Sequence, residues 1–281
     1  MSLDWLPTAA ETFIRTVAKL GLRYGVAAGF LYLLFYVWKR RAWFHHKIQL
    51  KTPESRQLRH ELTWSALTLL VFGVVSALVK VTGLRGQFLL YDDISTHGWL
   101  YYGLSVAGMI FWHDAYFYWT HRLLHTRWLL KHVHSVHHKS TDPTPWAAFS
   151  FHPVEAIIQT GFIYTAPLVI PLHPSVLVVV VLYQMFFNTL GHLGYEMYPR
   201  AYVRHPLTFW NNTSTHHNLH HLRSNWNFGL YFNLWDRWMG TNHPEYLQTF
   251  DRVASQTPEM VAPLLDRDST DNPHLITRTA S

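Results

Sequence analysis

Residues 21–38 read GLRYGVAAGFLYLLFYVW and are stopped by Lys39, Arg40 and Arg41. An apolar run of this length comes close to the ~20 helical residues that cross the hydrocarbon core of a bilayer. Two similar runs follow at 62–81 and 99–119. A longer apolar block, 156–190, is broken by Pro167, Pro171 and Pro174 and reads as a helical hairpin whose arms are short for full crossings. Buried helices of a large soluble protein are the alternative, but soluble chains rarely carry several such runs. The pattern predicts an all-α integral membrane protein with about three spans, a membrane hairpin and a histidine-rich helical cap. The expected division is membrane helices over 1–112, a histidine-rich region over 113–250 that includes the hairpin, and a polar, loosely ordered tail over 251–281.

Composition points the same way. Charged residues are 14% of the chain, against about 25% in a soluble domain. Aromatic residues are 16%, and such rings gather at membrane interfaces. The absence of cysteine excludes disulfides, iron–sulfur clusters and thiolate zinc sites within the chain. No basic secretory leader is visible, since Asp4 and Glu11 occupy the first residues. The net charge of +6 raises the question of nucleic acid, but the basic residues flank apolar runs, so no nucleic-acid partner is expected. Lys39, Arg40, Arg41, Lys47, Lys51, Arg56 and Arg59 crowd the loop between the first two runs, while the next loop holds little beyond Lys80 and Arg85. Positive-inside orientation puts the first loop in the cytoplasm. Arg15, Lys19 and Arg23, at the other end of the first run, oppose that bias without reversing it. The third run then returns to the cytoplasmic face where the histidines begin, and the hairpin leaves from that face and comes back to it.

Histidine is the unusual residue, with 21 copies. His121-x-x-x-His125 spaces two imidazoles by four. His134-x-x-His137-His138 and His217-x-x-His220-His221 share the form HxxHH. Residues three and four apart share a helix face, so eight rings from three helical stretches can converge, with His192 on the hairpin's return arm as a ninth. That is too many for one metal and enough for two. Imidazole suits Zn, Cu, Fe and Ni, whereas a structural zinc site would be closed with four ligands. Asp114, His152, Glu155, Asn188, Glu196 and Asp236 are the candidates to hold the rings' second nitrogens or stand behind the ligands. His45, His46, His60 and His97 read as interfacial or solvated, and His173, His205, His216 and His243 as structural.

Taken with Arg122, Pro143–Pro145, His152-Pro153-x-Glu155, His192 and Asn227-Phe228-Gly229, these motifs resemble the fatty acid hydroxylase/sterol desaturase superfamily over about residues 110–241. The stretch from Tyr231 through Trp235-Asp236-Arg237 to Gly240 looks most like the sterol C5-desaturase branch. In the fatty-acid-hydroxylase branch the hairpin arm carries HxxxH, whereas this chain has Asn188-x-x-x-His192. The resemblance implies a di-iron centre and O2-dependent oxidation of an unactivated C–H bond. It also implies electrons from NAD(P)H through a separate carrier, cytochrome b5-like or ferredoxin-like. His121, His125, His134, His137, His138, His192, His217, His220 and His221 are then the expected ligands and catalytic centre, in a cap facing the cytoplasm. The membrane is endoplasmic reticulum or bacterial inner membrane. The expected substrate is a sterol, with a fatty acid, alkylglycerol or carotenoid hydroxylase as the alternative. It is expected to enter between the spans and the aromatic stretch 226–238. A membrane metal-handling protein is the non-enzyme rival, though transport needs ligands near the bilayer midplane.

Overall fold

The structure, a computed structural model, describes residues 5–271. It is helical, and the described residues hold isolated bridges but no strand. Helix α1, Leu6–Tyr32, runs on through a π-helical segment Leu33–Trp38. Helix α2 is Ser55–Val81 and α3 is Gly98–Leu124. The hairpin follows as α4, Pro153–Thr165, and α5, Pro174–Gly191. Helix α6 is Ser214–Leu222, α7 is Tyr246–Ala254 and α8 is Pro258–Asp271.

Three helices are long and apolar enough to cross a membrane: Leu6–Trp38, Ser55–Val81 and Pro174–Gly191. The number matches the expectation but the membership differs. Helix α3 has 27 residues yet falls outside the set, because His113, Asp114 and His121 interrupt its apolar run. The hairpin's return arm is in the set, and α3 runs beside it from the hairpin turn, where the Tyr101 hydroxyl donates to Pro171 O at 2.9 Å, to the histidines at its C-terminal end. The outward arm α4 has 13 residues, about 20 Å of rise, short for a full crossing by itself. The first span also begins fifteen residues before the expected start at 21, so Arg15, Lys19 and Arg23 lie inside the helix instead of flanking it. Arg15 is paired there with Glu11 one turn earlier, at 2.7 Å.

Helices α1 and α2 pack antiparallel and very closely. A Cβ placed on Gly73 would stand 2.7 Å from side-chain atoms of Phe13 and Val17, whereas one on Gly25 would meet nothing within 4 Å. Close approach of backbones is how apolar helices gain packing in a membrane. The Tyr24 hydroxyl donates to Trp146 O at 2.6 Å and lies 3.0 Å from Ser65 Oγ, which also donates to that carbonyl. This triple contact fastens both spans to the turn 145–149, just before the hairpin. Proline opens both hairpin helices, and in each the preceding histidine caps the end: His152 Nδ1 accepts from Val154 N and His173 Nδ1 from Ser175 N.

Two expectations from the sequence change here. Lys47 adds nothing to the positive face: it is wholly buried, with Nζ 2.8 Å from Asp142 Oδ2 and the rings of Tyr36 and Tyr195 beside it. The tail is helical through Asp271 instead of loosely ordered, and 272–281 lie outside the described residues. Tyr246, Phe250 and Val253 recur at helical spacing, and the stripe they form is buried along with Val261.

The Gly73 contact yields a paired stability test. Gly73→Ala is expected to cost about 1–3 kcal/mol through overpacking, read as a lowered melting temperature in detergent. Gly25→Ala, with open space around it, should leave the melting temperature within about a degree or raise it.

Candidate metal centre

Four pieces of chain meet below the membrane helices. Helix α3 brings His121 and His125 at its C-terminal end. A continuous helical stretch over 127–138, π-wound at Leu130–His134, brings His134, His137 and His138. His192 terminates α5. Helix α6 brings His217, His220 and His221; it is short, polar and buried from Ser214 to His221. All nine predicted histidines therefore come together, in two groups. His121, His125, His134, His138 and His220 form one; His137, His192, His217 and His221 form the other, with ligand atoms in each group within 4.8 Å of one another.

The two HxxHH motifs cross over between these groups. His134 and His138 enter the five-ring group while His137, between them, enters the four-ring group. His217 and His221 enter the four-ring group while His220 enters the five-ring group. Helix geometry produces this. Residues i and i+4 point about 40° apart, while i+3 lies about 100° from i+4, so one motif serves two centres.

The nitrogens facing away from the groups fix the rings. Nδ1 of His121 donates to Phe228 O at 2.8 Å, that of His192 to Asn188 O at 2.7 Å and that of His220 to Trp226 O at 2.7 Å. His137 Nδ1 donates to Ser150 O at 3.3 Å, and His134 Nδ1 to Glu155 Oε1 at 2.8 Å. A carbonyl only accepts, so these Nδ1 atoms carry the hydrogen and each neutral ring presents an Nε2 lone pair inward. Those Nε2 atoms confront one another: His121 and His134 at 3.1 Å, His137 and His192 at 3.2 Å. His217 and His221 stand 3.0 and 3.2 Å from His192, and His125 stands 3.3 Å from His138. His220 Nε2 is buried with no hydrogen-bond partner among the described residues.

Lone pairs at such distances repel unless a cation lies between them. Protons are poor candidates. Burial, followed by the neighbouring imidazoles, holds His134, His137, His217, His220 and His221 well below the ordinary imidazole value, and the same causes push His138 down to about 3. Neutral rings with converging lone pairs are what transition-metal ions bind, so the residues present fit two metals.

Of the six polar candidates, only Glu155 touches a cluster ring with its side chain. Asn188 contributes its backbone carbonyl to His192, and its side chain donates to Ala148 O. Asp236 accepts from the amides of Phe228 and Gly229, Asp114 from those of Tyr231 and Phe232, and Glu196 from those of Tyr198 and Thr215. His152 serves as the cap of α4. The carbonyls that hold the rings carry no side-chain signal, which is why the sequence did not disclose them. Asn227, at φ 60°, turns the chain into the Phe228 carbonyl and ties the turn to His216 O and His243 N.

A small cavity borders Glu155, His121, His134, His137, His192 and His217, and Phe117, Phe151, Gln159 and Asn188 complete its wall. The same four residues form the floor of a larger cleft among α1 to α5. Gln159, a polar residue in the apolar run of α4, was the one readable sign of it. The stretch 226–238, expected to flank the substrate entrance, does not line this cleft. Leu230, Tyr231 and Phe232 instead pack against Phe117, Tyr183 and Phe187.

The family model described as Fatty acid hydroxylase matches residues 106–241. Lathosterol oxidase of Rattus norvegicus is 34% identical over 69% of this chain and 65% of its own length; that of Homo sapiens is 31% identical over 69% and 64%. A Delta(7)-sterol 5(6)-desaturase of Gibberella zeae is 30% identical over 83% of this chain and 71% of its own. The chain belongs to the fatty acid hydroxylase/sterol desaturase superfamily. The family resemblance read from the motifs holds, and its relatives fall in the sterol C5-desaturase branch. The match spans about two thirds of the length of the lathosterol oxidases, slightly less than two thirds in each. No solved structure matches. The region matched by the family model contains every histidine of both groups and leaves α1 and α2 outside it.

The crossover makes the two groups separable by metal analysis. Purified chain is expected to carry two metal ions. His137→Ala leaves three rings in its group and should lose about one ion, whereas His121→Ala leaves four and should keep both. Equal metal content in His137→Ala and wild type would remove the two-group assignment.

Proposed function

We propose that this chain is an O2-dependent di-iron oxidoreductase that desaturates a membrane sterol, with the nine histidines as ligands. The observation carrying the reading is the pair of lone-pair-lined groups set directly beneath a cleft among membrane helices. Family membership and the names of the sterol-oxidising relatives support it. A metal-storage role would have no use for that cleft. Iron held there would supply O2 activation: forming one C=C bond while O2 becomes two waters consumes two further electrons and two protons.

That stoichiometry calls for a separate carrier, cytochrome b5-like or ferredoxin-like, fed from NAD(P)H. We place the cap on the cytoplasmic face, where such carriers are found, in endoplasmic reticulum or bacterial inner membrane. The chain's own part is positioning. Glu155 and the carbonyls of Phe228, Ser150, Asn188 and Trp226 hold ring orientation. Phe117 and Phe151, both buried, face the histidines from the cleft floor and keep bulk water away. Gln159 and Asn188 give that floor its polar edge. A substrate carbon resting on this floor is set beside the centre, and displacement of about 1 Å there is enough to change which hydrogen reacts.

The test compares lipid extracts of a sterol-fed host expressing wild type or His137→Ala, by untargeted mass spectrometry. A product lacking two hydrogens, present only with wild type, is expected. A product gaining one oxygen would make the chain a hydroxylase instead. Identical extracts, with protein and reductant present, would overturn the oxidase reading.

A further inference from the structure

We propose that the cleft takes an acidic lipid, whose anionic oxygen group is held by Arg23 with Lys19 at the rim. The proposal rests on the oxidase reading of the histidines for its chemistry, and on the wall of the cleft for its specificity.

Lys19 and Arg23 stand one helical turn apart on α1, and both line the cleft. The span containing them runs from Leu6 to Trp38. About 20 Å of helix rise separates Lys19 from Leu6, and about 22 Å separates Arg23 from Trp38. A cation so deep in a span is costly unless something answers its charge. Elsewhere this chain answers it. Lys47 has Asp142 and two tyrosine rings, and Arg15 has Glu11. Lys19 and Arg23 have no hydrogen-bond or ion-pair partner among the described residues.

The direction of the cleft supplies the rest. Helix α1 runs toward the histidines, since the Tyr36 hydroxyl donates to Leu193 O beside His192. Arg23 and then Lys19 are therefore progressively farther from the metal groups than the floor of Phe117, Phe151, Gln159 and Asn188. Around the cations the wall is polar, with Thr16, Gln184 and the hydrogen-bonded pair Ser76–Tyr164 (2.8 Å). Closer to the floor it is Phe72, Phe149 and Phe162. Lys19 and Val178 are the exposed lining residues and mark the mouth between α1 and α5. A hydroxyl could accept a hydrogen bond from Arg23 but would leave two positive charges unanswered in a medium of low dielectric. A carboxylate or sulfate answers them and gains charge-assisted hydrogen bonds. The occupant is thus an amphipathic lipid entering with its apolar body toward the histidines and its acidic group toward α1.

The test uses metal-loaded protein in phosphatidylcholine nanodiscs. The probes are a 3β-hydroxysterol with a side-chain carboxylic acid, its methyl ester, and oleate. Tryptophan fluorescence reports binding, and turnover is followed with reductant supplied. Wild type is expected to bind the sterol acid about tenfold more tightly than the ester. Lys19→Gln/Arg23→Gln is expected to lose that preference at unchanged metal content, and Lys19→Arg/Arg23→Lys to keep it. Equal affinity of wild type for acid and ester overturns the proposal without need of a variant, as does a preference that survives Lys19→Gln/Arg23→Gln. Preference for oleate over the sterol acid keeps the anion site and changes the lipid body. Acid-selective binding with no oxidation would instead sink the oxidase reading and leave the anion site standing.

Discussion

Nine buried or half-buried imidazoles, eight of them with ring nitrogens 3.0 to 3.3 Å from a neighbour's, form an arrangement that pure protein chemistry disfavours. Each inward lone pair repels the next, and burial denies the rings the protons that could relieve them. Much of the fold below the spans is what it takes to hold them there. Helix α6 illustrates the point: its residues Ser214 to His221 are buried although most are polar. Leu219, packed with Val203, Tyr246 and Phe250, is its one apolar anchor among the buried residues, so its place depends largely on what its polar side chains meet. The metal ions that fit these groups are in that sense part of the core.

The acidic residues near the site work at one remove. Asp236 receives the amide of Phe228, and the carbonyl of the same residue receives His121. Glu196 receives the amide of Thr215 at the start of the helix that carries His217, His220 and His221. Asp114, on the helix that carries His121, receives two amides of the 231–232 turn. Each carboxylate fixes a piece of backbone, and the backbone fixes a ring or its helix. This keeps formal negative charge off most of the imidazoles and leaves Glu155 as the exception, on His134.

The sequence was most legible where a side chain itself performs the role. The histidine spacings named eight of the nine rings, because i, i+3 and i+4 positions on a helix cannot avoid sharing a side, and His192 was read from its place at the end of the hairpin arm. Helix geometry allows each HxxHH to be divided, but which ring joins which centre was not legible, since it depends on how α3, the stretch 127–138, α5 and α6 are turned toward one another. The carbonyl partners were invisible for a simpler reason, as every residue has one. The third apolar run was harder to read, because residues 99–119 owe much of their apolar character to aromatic rings and include His113 and Asp114. The start of α1 was misjudged because Arg15, Lys19 and Arg23 suggested a boundary where the helix in fact continues.

Those same charges bear on how far kinship can be followed. The segment matched by the family model runs from 106 to 241 and contains both histidine groups. The cleft above them draws walls from that segment and also from α1 and α2, which lie before it. On the reading proposed above, the reaction would depend on the matched segment alone, while substrate choice would draw on that segment together with α1 and α2. Two relatives can share the metal centre, and with it the chemistry of removing hydrogen from an unactivated carbon, while differing in which lipid reaches it. The names of the relatives thus speak more directly to the reaction than to the molecule oxidised. On the reading proposed above, α1, which carries Lys19 and Arg23 into the polar part of the cleft wall, is where this chain would set its own preference.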